Sequence, residues 1–183
     1  VVTAMGLRIK AKSVILTNGT FLNGLMHIGS VQIPGGRIAE PASLRLSEQI
    51  TGLGFRTDRM KTGTPMRLDG RTVHFDLCER QEGEEGWPHF SFLPGVSRFE
   101  TPQRPCFLTE TTPASHEVLR RHLDEAPLYN GQIHSIGPRY CPSIETKIVT
   151  FAGKDHHPLF LEPEGTDTTM YYLNGFSSSL PIE

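Results

Sequence analysis

Turn signals punctuate this chain so closely that only short elements fit between them, and their spacing points to a mixed α/β fold. Gly6, Asn18-Gly19, Gly24, Gly29, Gly35-Gly36, Thr64-Pro65 and Asp69-Gly70 separate brief segments. Val1 to Thr3 and Leu7 to Lys10 flank Gly6 as a hairpin. Ser13 to Thr17 is a short apolar, β-branched run ending at Asn18-Gly19. Thr72 to Phe75, the stretch "RPCFLTET" and Tyr171 to Leu173 add further strand-like pieces. Ser13 to Thr17 and Tyr171 to Leu173 have no other obvious neighbours, so the two are expected to pair.

Three segments carry helical periodicity instead. After Pro41, Leu46, Ile50 and Leu53 repeat at helical spacing and Gly54 closes the run. In "TPASHEVLRRHLDEAP" Pro113 suits a first turn, Pro127 lies past the end, and Val118, Leu119, His122 and Leu123 share a face. From Pro142, Ile144, Ile148 and Phe151 recur at helical spacing before Gly153. All three helices are expected to pack on sheet.

Composition removes several classes of function. A length of 183 residues is enough to bury a core, and a net charge of -2 argues against a surface that coats nucleic acid. Cys78, Cys106 and Cys141 lie too far apart for a paired zinc motif or a dense disulfide framework, which fits a reducing cytoplasm. No apolar run approaches the ~20 residues of a membrane span. The acidic "EGEEGWP" reads as a solvated loop. The chain starts inside a strand-like run and stops at "SSSLPIE", as a piece of a longer protein would. HExxH, a P-loop lysine and GxGxxG are missing, and no Ser-His-Asp order beats chance. The main phosphate-binding loop of any cofactor enzyme built from this chain must therefore lie elsewhere.

A few residues carry chemistry. Asn18, Gly19 and Thr20 follow a strand-like run, where a cofactor can approach bare backbone, although a tight turn after a core strand is the stronger reading of so short a signal. Gly35, Gly36 and Arg37 offer amides and a guanidinium to an anion such as a pyrophosphate, or simply a flexible connector. His27 is either a ligand or base, or a structural histidine. Cys78 and Cys106 sit in strand-like surroundings that suit small buried hydrophobes. With Pro142 at the first helical position, Cys141 falls at the N-cap, where the helix dipole and nearby Arg139 favour thiolate over thiol. Local chemistry leaves a nucleophile and a packed thiol about evenly matched.

The stretches "TNGTFLNGLMHIG", "PGGRIAEPAS", "RMKTGTPMRLDGRT", "GPRYCPSIETKI", "FLEPEG" and "NGFSSSLP", in this order, resemble the MnmG (GidA) family of tRNA-modifying flavoproteins. The resemblance implies an enzyme using FAD, NADH and methylene-tetrahydrofolate. With the GTPase MnmE it would place an aminomethyl or carboxymethylaminomethyl group on carbon 5 of the tRNA wobble uridine. It further implies a cytoplasmic homodimer with no membrane segment. Residues 1–55 would be part of an FAD-binding, Rossmann-like domain, 56–136 an inserted β-rich, mixed-sheet domain with helices, and 137–183 an NAD-binding segment returning to the FAD domain.

The implied cofactor contacts are Gly19, Gly35, Gly36 and Arg37, together with Gly137, Pro138, Arg139, Tyr140, Cys141, Pro142, Ser143, Ile144, Glu145, Lys147 and Phe151. Pro34 stands where many relatives carry serine, which removes a hydroxyl contact. Cys141 matches the family's proposed catalytic cysteine, and Arg139 is the cation that would bear a developing oxyanion. Flavin-borne transfer of the carbon is the competing route. Glu162 and Glu164 serve proton transfer, ribose binding or a hydrogen-bonded turn. No metal is expected. Lacking the glycine fingerprint, this piece alone should bind FAD poorly. Two other functions stay in view: a folate- and FAD-dependent tRNA uracil-5-methyltransferase, against which "KTGTP", "GPRYCPSIE" and "FLEPEG" speak, and a non-catalytic binding module.

Overall fold

A hairpin forms wherever the backbone reverses at a residue that tolerates positive φ and the flanking strands find each other. In the computed structural model, which describes residues 1–83, 92, 103–135, 137 and 141–182, this happens first at Gly6, with φ of 84°. The Thr3 amide donates to Leu7 O and the Ile9 amide to Val1 O, as the sequence suggests. The chain then divides into two compact units, Val1–Met26 with Gln32–Asp58, and His27–Val31 with Arg59–Glu183.

The first unit is thinly packed. Helix α1 (Leu46–Gly52) forms where periodicity predicts it and stops at Gly54, φ 92°, yet none of its residues is buried. Ser13 to Thr17 is not a strand. Val14, Ile15 and Leu16 are exposed, because a strand needs a neighbour to complete its ladder and no described strand lies beside this run. The expected pairing with Tyr171 to Leu173 is therefore wrong. The two-stranded ribbon β1 (Leu25–Ile28) and β2 (Val31–Pro34) turns at Gly29.

The second unit holds the sheet. Strands β3 (Pro65–Asp69), β4 (Glu79–Gln81), β5 (Cys106–Glu110), β6 (Pro158–Pro163) and β7 (Met170–Ser177) lie in the order β3-β7-β6-β5-β4, every ladder antiparallel. The mixed α/β class holds. Tyr171 to Leu173 is a strand as expected, but its partners are β3 and β6. Thr72 to Phe75 is not: Asp69 accepts from the Arg71 amide, and the Thr72 hydroxyl donates to Asp69 O. These bonds tighten the chain into 3-10 turns over Gly70–Thr72 and Phe75–Leu77.

Alternation along the strands builds the core. Leu159, Leu161, Tyr171 and Leu173 point to one face and pack with Leu68, Val73, Phe75, Cys78, Phe107 and Phe176. The Phe75 ring lies 4.4 Å from that of Phe107 and 4.9 Å from that of Tyr171. Burial of each such side chain stabilises by about 1.5–3 kcal/mol.

Helix α2 (Pro113–Arg121) begins with Pro113 after a capping box between Thr112 and Ser115. Its buried residues are His116 and Leu119, whereas Val118 is exposed, so the inward face is rotated from the one that sequence suggests. Helix α3 (Ile144–Thr150) places Ile144 and Ile148, one turn apart, against Leu119, Phe176 and Leu180. The α2 and α3 helices thus share a core, and Phe176 joins it to the sheet.

Candidate functional site around Cys141

Helix α3 sets the site. Its N-cap is Ser143, whose Oγ accepts from the Thr146 amide. Cys141 lies two residues before the cap, so the expected N-cap position is corrected. The reason is chemical: a serine hydroxyl is a far better acceptor for the orphan amides of a first turn than a thiol. Cys141 remains outside the helix and exposed. Phe151 is the C-cap, not the last helical turn.

What holds the thiol is a segment distant in sequence. The Thr62 hydroxyl donates to Cys141 Sγ at 3.5 Å. Preceding it, Lys61 is buried, and its Nζ has no hydrogen-bond partner. Burial pushes the Lys61 ammonium below its ordinary range, while Glu145 and Cys141 oppose that shift. Glu145, on α3, is 1% exposed. Its Oε1 accepts from the Ser178 hydroxyl at 2.7 Å and the Ser179 amide at 3.1 Å, while Oε2 is buried and unpartnered. Lys147 donates to Gly175 O at 2.8 Å, and burial lowers its pKa against the opposing charge of Cys141. An exposed thiol thus stands before a layer of buried opposite charges.

Close backbone approach makes this layer possible. A Cβ on Gly63 would lie 2.3 Å from Ser177 Oγ, so only glycine brings Lys61 and Thr62 alongside the end of β7. Lys61 and Thr62 lie inside "RMKTGTP", but neither shows helical nor strand periodicity, and sequence reasoning did not single them out. Their one signal is position, beside glycine and proline in a stretch with no element of its own.

The remaining expected residues are placed as follows. Pro138, Arg139 and Tyr140 lie outside the described residues, so the expected cation beside Cys141 has no geometry here. Gly137 is exposed and Pro142 partly so, whereas Ser143 and Ile144 are buried. In the first unit, a Cβ on Gly36 would lie 2.5 Å from the Phe21 ring and one on Gly35 2.8 Å from Glu40 O. These glycines answer to packing within the chain. The Gly35 amide donates to Gly24 O, Thr20 donates to Gly36 O, and Arg37 pairs with Glu40. Gly19 takes φ of 53° in a turn.

Both glutamates of "FLEPEG" have partners: Glu162 accepts from Asn174 Nδ2 at 3.0 Å and Glu164 from Arg67 Nε at 2.8 Å. The hydrogen-bonded reading fits them. His27 has a buried, unpartnered Nδ1, and burial together with Arg59 lowers its pKa. Cys78 packs on the sheet core, and burial pushes the Cys106 thiol up. Among the described residues no group of three His, Cys, Asp or Glu is placed to hold a metal ion, and no helix is long and apolar enough to cross a membrane.

Comparison with known proteins agrees over the whole chain. A family model described as "Glucose inhibited division protein A" matches residues 1–183. The chain is 61% identical over 181 residues to the tRNA uridine 5-carboxymethylaminomethyl modification enzyme MnmG of Parabacteroides distasonis, covering 99% of this chain and 29% of that protein. It is 60% identical over 183 residues to the MnmG of Porphyromonas gingivalis, covering 100% and 29%. The chain therefore spans less than a third of the length of these relatives. Among solved structures it is similar to Aquifex aeolicus GidA in the form I crystal, with a TM-score of 0.80 and 48% identity, covering 98% of this chain and 31% of that one. The form II crystal of the same protein gives a TM-score of 0.80 and 44% identity, covering 98% and 28%. Matched from its first residue to its last, the chain belongs to the glucose inhibited division protein A (GidA) family.

Proposed function

We propose that this chain is the central part of an enzyme that installs an aminomethyl or carboxymethylaminomethyl group on carbon 5 of the tRNA wobble uridine, with Cys141 as its nucleophile. The observation that carries the reading is the exposed Cys141 thiol, fixed by Thr62 and backed by buried Lys61 and Glu145. The names of the relatives, which modify tRNA uridine, supply the substrate class.

Carbon 5 of a uracil is a weak nucleophile. Attack of the Cys141 thiolate on carbon 6 forms an S–C6 bond and pushes the C5–C6 π pair toward the carbon 4 oxygen as an enolate. The one-carbon unit of methylene-tetrahydrofolate passes to ammonia or the glycine amine as an iminium, releasing tetrahydrofolate. Carbon 5 of the enolate attacks the iminium carbon as its C=N π pair moves to nitrogen. Loss of the carbon 5 proton restores the double bond and expels the thiolate. Cations near the oxyanion lower the barrier, and Arg139 is assigned that role. Two-electron redox chemistry comes from FAD and NADH when bound.

The fit of this chain to those cofactors is partial. Gly19, Gly35, Gly36 and Arg37 are the proposed FAD contacts, yet the Gly35 amide is engaged with Gly24, and Arg37 must exchange Glu40 for a phosphate. For NADH, the proposed contacts are exposed Gly137 and Cys141, partly buried Pro142 and Lys147, and exposed Phe151, with Pro138, Arg139 and Tyr140 assigned from the family resemblance alone. Ser143, Ile144 and Glu145 shape the wall behind Cys141. Residues 1–55 and 137–183 are assigned to the FAD-binding domain and the NAD-binding return, and 56–136 to the inserted domain. The GTPase MnmE, a homodimeric state and a cytoplasmic location complete the proposal.

The test is reconstitution. The protein at its full natural length, with MnmE, GTP, FAD, NADH, methylene-tetrahydrofolate and an ammonium or glycine source, should yield the modified nucleoside in hydrolysed tRNA. A plain 5-methyluridine product formed without the GTPase would favour the methyltransferase reading instead.

A further inference from the structure

Lys61 is a buried ammonium group whose Nζ has no hydrogen-bond partner, an expensive arrangement that a fold keeps only when another group repays it. Its place is fixed by backbone: Gly63 packs against Ser177, and Thr62 reaches Cys141 Sγ at 3.5 Å. Opposite charge is available from Glu145, which is itself buried with Oε2 unpartnered.

We propose that Lys61 is a positioning residue for Cys141: its buried ammonium, with uncommitted donors, stands one residue before the Thr62 hydroxyl that reaches the sulfur, and supplies positive charge as the thiol ionises. A neutral thiol is a weak acceptor and leaves those donors idle. A thiolate gives them a strong one. Electrostatics within the fold agree, since both Glu145 and Cys141 act on Lys61 against its burial. The other charged groups described here divide the work. Lys147 also feels Cys141 but spends a hydrogen bond on Gly175 O, and Glu145 competes with the sulfur for the Lys61 charge.

This deepens the reading of Cys141 as a nucleophile, and its test involves neither tRNA nor cofactor, so the two fail separately. The experiment follows iodoacetamide alkylation of the Cys141 peptide by mass spectrometry from pH 6 to 10 (a range chosen to bracket thiol ionisation), in the protein at its full natural length. In Lys61→Met the rate at neutral pH should fall about three- to tenfold, with the profile displaced to higher pH. Glu145→Gln retains an acceptor for Ser178 and Ser179 and frees the Lys61 charge for the sulfur, so its profile should move to lower pH. A folded variant of either kind whose profile stays with the parent, or moves the other way, overturns the proposal. Should Lys61→Met fail to fold, Glu145→Gln decides alone.

Discussion

Gly63 and Ser177 approach so closely that a Cβ on the glycine would lie 2.3 Å from the serine Oγ and 2.6 Å from its Cβ. This contact ties the Lys61–Thr62 segment to the end of β7, where Glu145 also finds Ser178 and Ser179. Gly63→Ala must displace the segment, at a cost of about 1–3 kcal/mol. Urea unfolding should show that loss together with slower alkylation of Cys141. A variant of parental stability and parental alkylation would mean that the approach is not tight in solution.

The wall behind the thiol depends on α3 being docked. Ile148 is 1% exposed and packs with Ile144 and Leu119. Ile148→Ala should destabilise by about 2–5 kcal/mol, through lost burial and the cavity left behind. Val149, on the same helix, is 45% exposed, so Val149→Ala should change stability by under about 0.5 kcal/mol. Equal effects at the two positions in thermal unfolding would refute this orientation of the helix.

Acid should loosen the same region. His157 is buried and its Nε2 is unpartnered; its ring stacks 5.4 Å from that of His116, and the Thr111 hydroxyl accepts from its amide and bonds the His116 ring. Burial, then His116, Lys147, Lys154 and His156, lower the His157 pKa below 6.5. Below pH 6.5 the unfolded chain therefore takes up a proton that the folded chain resists. Stability must fall as pH drops from about 6.5 toward the lowered folded value, and level off below it. His157→Phe, which cannot titrate, should show a smaller loss between pH 7.5 and 5.5 in urea midpoints. A loss as large as the parent's would assign the effect to other groups.

Much of the architecture was legible because its signals are local. Gly6 and Gly54 turn where positive φ is needed, Pro113 opens α2, and Cys106–Glu110 forms a strand between its breakers. What failed depended on distant partners. Ser13 to Thr17 carries strand propensity but no ladder, and Val118 looks apolar but faces outward, since the inward face of a helix is set by what packs on it. Pro142 suggested a helix start two residues early, and Ser143 took the cap by its better acceptor. At the candidate site the cysteine was visible, whereas Lys61 and Thr62 became legible only when the fold brought position 62 against position 141. No periodicity encodes a contact across that separation.

The central claim is that Cys141 acts as a nucleophile on tRNA uridine, and a serine substitution tests it most directly. Serine is close in size, and Cys141 is exposed, so Cys141→Ser should unfold at the parental urea concentration. Modified nucleoside, measured by mass spectrometry of tRNA after reaction with the full-length protein and the proposed partner GTPase, should then be absent. Cys78→Ser and Cys106→Ser should retain product, allowing for the modest instability expected of half-buried positions. Modification by Cys141→Ser at the parental rate would contradict the account and leave Cys141 a structural residue.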